Sequence, residues 1–334
     1  MEAGIAEAFA RLLPSSVIIS KYARWICAGL GLILCACGGS TGSQTDAEVG
    51  LYISTQYSDS QLTAYTDIIY SSRPNAGGAQ YTSDVTKATE LNGTTLDLRL
   101  DIAVPPNATS THPQPLIVLI HGGGFSAGGK ENTRFDALSY ARAGYVAASI
   151  NYRLTPDNTV SSTARLAAFI QASEDAMNAI RYLKANAALY HIDTNRIATI
   201  GSSAGGGISL INAIEYDSLQ NTTSDFPAVS SKVAASIATG ATTIDAYANL
   251  DPYLNFQASD SPVMLFHANP TDSVTGATWI GNAIPTRDRI NASGNTCTLI
   301  AQADMTHVVD LSLGGPWWST LKPFLWEKLQ LGSL

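Results

Sequence analysis

From about residue 95 onward the chain repeats one pattern, a short apolar run followed by a longer stretch with apolar residues every three or four positions. That alternation predicts a mostly parallel sheet with helices on both faces. Residues 96–104 (Leu-Asp-Leu-Arg-Leu-Asp-Ile-Ala-Val) alternate apolar and polar side chains as a half-buried strand does, and Pro105 and Pro106 end it. The runs 116–120, 145–150, 196–200, 233–238, 263–266 and 298–301 predict further strands, apolar enough to be covered on both sides. Leu166, Phe169, Ile170, Met177, Ile180 and Leu183 keep a 3.6-residue spacing, with small Ser173 on the same face, and predict an amphipathic helix. Residues 280–290 and 317–329 predict the last helices. Residues 51–92 are rich in Tyr, Ser and Thr without clear period and predict no more than edge strands or part of a cap. With no internal repeat and no long linker, the reading is one α/β domain over 51–334, with 242–261 as the candidate for a small lid.

The N-terminus follows other rules. Residues 25–34 form an apolar run behind Lys21 and Arg24, about ten residues long, where a helix spanning a bilayer needs about 20. The run reads as a secretory signal over 1–36. It ends in Leu34-Cys35-Ala36-Cys37-Gly38, which resembles a bacterial lipobox and makes Cys37 the candidate lipid anchor; an ordinary signal cleaved near Ala36 or Ser40 is the alternative. Either reading exports the protein, to the bacterial periplasm or cell envelope, and membrane contact is expected only through that anchor. The Gly/Ser-rich stretch 37–50 reads as a flexible tether.

Composition narrows the picture. With 45% hydrophobic and 14% charged residues the body of the chain is folded rather than disordered. A net charge of −8 and the lack of any Lys/Arg cluster argue against nucleic acid as a partner. Of four cysteines, Cys27 and Cys35 fall in the signal and Cys37 is the anchor candidate, so only Cys297 remains and no disulfide framework is predicted. The scattered histidines have no metal-ligand spacing, and no metal or organic cofactor is expected.

Two motifs carry chemistry. Gly201-Ser202-Ser203-Ala204-Gly205 fits G-x-S-x-G directly after a predicted strand and before a predicted helix. Small neighbours let the chain turn sharply there, holding the Ser203 hydroxyl exposed at a helix N-terminus that favours developing negative charge. His121-Gly122-Gly123-Gly124-Phe125 follows the strand 116–120. A plain glycine turn is the bland reading. The chemical one is a set of backbone N–H groups unshielded by side chains, each worth about 3 kcal/mol to a tetrahedral oxyanion.

As a pair, these motifs make the chain resemble the α/β-hydrolase superfamily, specifically the HGGG-type carboxylesterases and lipases near the hormone-sensitive-lipase-like and bacterial feruloyl-esterase-like groups, over roughly residues 95–330. The resemblance implies Ser203 as nucleophile and Gly123, Gly124 and Ala204 as oxyanion donors. Asn151-Tyr152-Arg153-Leu154 is similar to the family's Y-R-L segment, whose arginine is structural. Ser202 departs from hormone-sensitive-lipase relatives, which carry an acid there. Triad order is Ser, acid, His. Of the two histidines after Ser203, His307 lies in a loop after the last strand and is the expected base, while His267 is expected to be structural. Asp251, Asp260 and Asp272 are the candidate acids; Asp272 sits in a loop resembling the family's Asp-x-Val segment, with Asp260 its main rival. Glu174 and Asp175 read as capping, ion-pairing or solvated residues. Phe125 is the candidate for lining a substrate pocket, with Trp317 and Trp318 as lesser ones. The implied activity is hydrolysis of a small-molecule or polymer-linked ester through an acyl-enzyme. A related serine peptidase and a catalytically silent binding module are the competing readings.

Overall fold

A computed structural model describes residues 50–83, 86–217, 225–244, 248–303 and 306–334. The expected signal (1–36), Cys37 and the tether up to residue 49 lie outside the described residues.

The strands are β1 (Thr63–Pro74), β2 (Thr95–Val104), β3 (Gln114–Ile120), β4 (Val146–Ile150), β5 (Ile192–Ser202), β6 (Ala235–Thr239), β7 (Val263–Ala268) and β8 (Cys297–Gln302). They form an eight-stranded sheet in the order β1-β2-β4-β3-β5-β6-β7-β8. Six strands, from β4 to β8 in that order, run parallel, while β2 pairs antiparallel with both β4 and β1. With the helices described next, this is an α/β-hydrolase fold.

The helices are α1 (Lys87–Glu90), α2 (Arg134–Arg142), α3 (Ser162–Ala185), α4 (Ala187–Tyr190), α5 (Ala204–Glu215), α6 (Ile284–Ala292) and α7 (Trp318–Lys328). On β3 the side chains alternate between two cores. Leu116, Val118 and Ile120 pack with Phe169 and Ile180 of α3 and Ile208 of α5; Ile117 and Leu119 pack with Tyr140 of α2 and Leu321 and Leu325 of α7. A strand covered on both faces has no polar side to show, which is why 114–120 reads as a continuous apolar run. Helix α3 starts where the Ser161 hydroxyl accepts the Ala164 N–H at 3.1 Å.

One segment meets the pattern-based reading and another departs from it. Residues 63–74, silent in periodicity, form the long edge strand β1; register shifts at 65–68 and 69–71 break its alternation, and Pro74 sits at its end, where a missing N–H is tolerated. The stretch expected as helix from 280 begins instead as a wider π turn, Trp279–Ala283, and becomes α-helical only at Ile284, beside Pro285.

The site's position follows from the topology. The chain goes from β3 outward to β4 and then returns across β3 to β5, so the winding reverses between β3 and β5. Loops leaving their carboxyl ends diverge there and open a crevice. The glycine loop leaves β3 and Ser203 follows β5 at that point.

Candidate active site

Ser203 occupies the bend between β5 and α5 with φ 55° and ψ −120°, a conformation that costs a non-glycine residue roughly 1–3 kcal/mol. Its N–H donates to the Thr239 carbonyl at the end of β6 (2.8 Å), which fastens the bend to the neighbouring strand. Close backbone approach makes the small residues necessary: a Cβ at position 205 would lie 2.2 Å from the Ile120 carbonyl oxygen. Gly122 of the loop after β3 also comes near, a Cβ there lying 3.1 Å from that of Ser203.

His307 reaches the same point from the loop after β8. Its Nε2 lies 2.8 Å from Ser203 Oγ and its Nδ1 lies 2.7 Å from Asp272 Oδ2. An ionised carboxylate only accepts, so Nδ1 carries the proton and Nε2 is left to accept from the hydroxyl. Asp272 is buried in the loop after β7, and its Oδ1 accepts the N–H groups of Val274 (2.9 Å) and Thr275 (2.8 Å). Burial would raise its pKa, but the hydrogen bond from His307 and those two N–H groups outweigh it and hold the carboxyl down to about 2. The structure therefore brings Ser203, His307 and Asp272 together. The rival Asp260 instead accepts the Gln257 N–H (2.7 Å) in its own turn, and Asp251 lies in the short 3₁₀ turn Asp251–Tyr253.

The glycine loop is held in a definite orientation. The Gly123 carbonyl accepts the N–H groups of Ser126 and Ala127, both at 3.0 Å. In a trans peptide the C=O and N–H point opposite ways, so the Gly124 N–H points away from that turn. Ala204 is the first residue of α5, where N–H groups have no partner within the helix. Ser203 and Ala204 line a cleft of about 370 Å³, counted to its open mouth, together with Arg165, Phe169, Thr242 and Thr275.

Phe125 is a correction. Its ring is fully buried, 4.3 Å from that of Phe169, with the Arg165 guanidinium 4.7 Å above it, so it packs behind the cleft wall rather than lining it. Its φ is 62°, a left-handed backbone conformation disfavoured for a bulky side chain. Trp318 packs against Tyr140 and Trp317 against Phe266, in the core on the α2/α7 face, so neither lines the cleft. His267 does border the cleft, with Nδ1 donating to the Ala268 carbonyl (2.9 Å), and burial pushes its imidazole below the ordinary value despite that bond. Arg153 forms a fork on buried Asp175, with Nη2 at 2.8 Å from Oδ1 and Nε at 2.8 Å from Oδ2, so its guanidinium is committed to that pair. In the expected lid, residues 245–247 lie outside the described residues. Thr242 reaches the cleft, the Thr243 N–H donates to Thr286 (3.1 Å), and the Asn255 N–H donates to Glu215, so those parts are tied to α6 and α5.

Motif reading passes over Thr239. Besides holding Ser203, its hydroxyl accepts the Val309 N–H (3.0 Å) and steadies the loop that carries His307. Its place at the carboxyl end of the strand beside β5 was the available signal. Among the described residues no group of three or more His, Cys, Asp or Glu side chains converges as a metal site would require.

Comparison with known proteins gives the same architecture. The BD-FAE family profile matches residues 100–309. Carboxylesterase NlhH of Mycobacterium tuberculosis is 35% identical over 100 residues, covering 30% of this chain and 28% of that protein. Ethyl acetate hydrolase of Pseudomonas putida is 31% identical over 132 residues, covering 39% of this chain and 38% of that protein. The chain thus spans well under half the length of these curated relatives. The thermophilic esterase Est2 of the planctomycete Thermogutta terrifontis superposes with a TM-score of 0.56 at 21% identity, covering 69% of this chain and 88% of that one, which speaks to the fold alone.

Proposed function

The chain belongs to the BD-FAE family, and from that premise we propose that it is a serine carboxylic-ester hydrolase. In this reading His307 takes the proton of Ser203 as Oγ attacks the ester carbonyl, and Asp272 orients the imidazole and stabilises its cation. The N–H groups of Gly123, Gly124 and Ala204 receive the oxyanion at the N-terminus of α5. His307 then gives its proton to the departing alcohol. Water, deprotonated by the same imidazole, attacks the acyl-enzyme and releases the acid, and the His307 imidazolium returns the proton to Ser203 Oγ.

One observation carries the proposal: a continuous run of short hydrogen bonds from Ser203, on a strained bend that faces the cleft, through His307 to buried Asp272. The relatives named as carboxylesterase and ethyl acetate hydrolase support an ester as the substrate class.

The test is Ser203→Ala assayed on a simple aryl ester. Turnover is expected to fall roughly 10⁴- to 10⁶-fold, with loss of fluorophosphonate labelling. A variant keeping more than a tenth of the activity refutes the reading.

A further inference from the structure

We propose that Arg165 and Asn158 are positioning residues that lock the oxyanion loop by clamping the Gly124 carbonyl; the inference rests on the esterase reading above. Arg165 Nη1 donates to that carbonyl at 2.9 Å and to Asn158 Oδ1 at 2.8 Å. Asn158 Nδ2 donates to the same carbonyl at 3.0 Å and to the Thr155 carbonyl at 2.8 Å. Both side chains are buried.

The clamp acts on a peptide that has reason to turn over. Phe125 has φ 62°, a left-handed conformation disfavoured for a bulky side chain. Rotating the peptide between Gly124 and Phe125 would change ψ of the first and φ of the second, and so relieve that residue. The same rotation would swing the Gly124 carbonyl out of its place, and an oxygen lone pair turned toward the cleft would repel a developing oxyanion. Two donors, one of them charged, hold the oxygen where it is. The Arg165 guanidinium also lies over the faces of Phe125 (4.7 Å) and Phe169 (5.2 Å), so it holds the carbonyl and the ring of the strained residue together. From the other side, the Thr155 N–H donates to the Phe125 carbonyl at 2.7 Å. Together with the turn that takes the Gly123 carbonyl, both peptides flanking Gly124 are fixed, and with them the direction of its N–H.

The experiment compares Arg165→Met, Arg165→Lys and Asn158→Ala with wild type on an aryl acetate, with active sites titrated. Affinity for a trifluoromethyl ketone, whose tetrahedral adduct carries the oxyanion, is measured alongside. Arg165→Met is expected to lose about 10²-fold in kcat with KM within threefold. Its ketone affinity should fall by a similar factor, and Arg165→Lys should recover to within about tenfold of wild type. Side chains that only filled space would move Tm and leave both kinetic readouts alone. A kcat loss below tenfold, or a loss carried by KM, overturns the proposal. Should Arg165→Met not fold, Asn158→Ala decides: tenfold lower kcat at unchanged KM supports the clamp, and unchanged kcat overturns it. A wild-type chain that hydrolyses no ester and takes no fluorophosphonate overturns both readings, whereas an active wild type with indifferent variants overturns the clamp alone.

Discussion

Gly240→Ala tests how tightly the base is held. Gly240 follows β6 with φ 66°, and a Cβ there would lie 2.2 Å from the His307 carbonyl oxygen and 3.0 Å from both Cε1 and Nδ1 of its ring. Restoring ordinary van der Waals separation, about 3.5 Å, moves the His307 backbone by roughly 1 Å. The link from Nε2 to Ser203 Oγ is 2.8 Å, so such a shift takes it beyond hydrogen-bond length. A 1 Å misplacement of a reacting group costs about 10²-fold in rate, and the left-handed alanine itself costs about 1–2 kcal/mol of stability. Gly314 supplies the control. Its φ is 77° and a methyl group there would meet nothing within 4 Å, so Gly314→Ala carries the backbone cost without the collision. We expect both variants to melt a few degrees below wild type, while kcat/KM on an aryl ester falls about 100-fold for Gly240→Ala and less than twofold for Gly314→Ala. The reasoning is refuted if Gly240→Ala keeps more than a third of wild-type kcat/KM, or if the two variants lose activity equally.

Asp272→Asn should cut kcat about 10⁴-fold by removing the partner that fixes the His307 tautomer. It should also change the acid branch of the stability curve. A carboxyl held at about 2 against an ordinary 3.8 contributes about 2 kcal/mol that is complete above pH of about 4 and lost as pH falls through about 2. Urea midpoints should therefore differ at pH of about 7 and converge by pH of about 2, and a gap that stays constant across that range contradicts the assignment. Asp175→Asn leaves Arg153 largely buried beside a neutral amide. It should lower stability by about 3 kcal/mol in urea titrations with kcat/KM of the folded enzyme within threefold, and an unmoved midpoint would show that the pair contributes nothing.

The sequence alone determined the elements whose signal is local. Strands covered on both faces must be apolar throughout, so 116–120 and 263–266 stand out; a sharp strand-to-helix bend must be flanked by small residues, so Gly201 to Gly205 declares itself, as does the glycine loop that leaves β3. What only the tertiary structure decided depends on atoms far apart in the chain. Asp272 and Asp260 are both carboxylates after Ser203, and a resemblance to an Asp-x-Val loop favours the first; the contact that singles it out comes from His307, 35 positions away. Phe125 adjoins the glycine loop and so reads as available to a substrate, but its ring is buried against Phe169 and under the Arg165 guanidinium. Strand β1 lacks periodicity because its register shifts, and Gly240 shows its purpose only against the ring it makes room for. Periodicity and turn chemistry are properties of neighbouring residues, whereas a hydrogen bond or a steric limit between distant ones exists only once the sheet has brought their loops to the same edge.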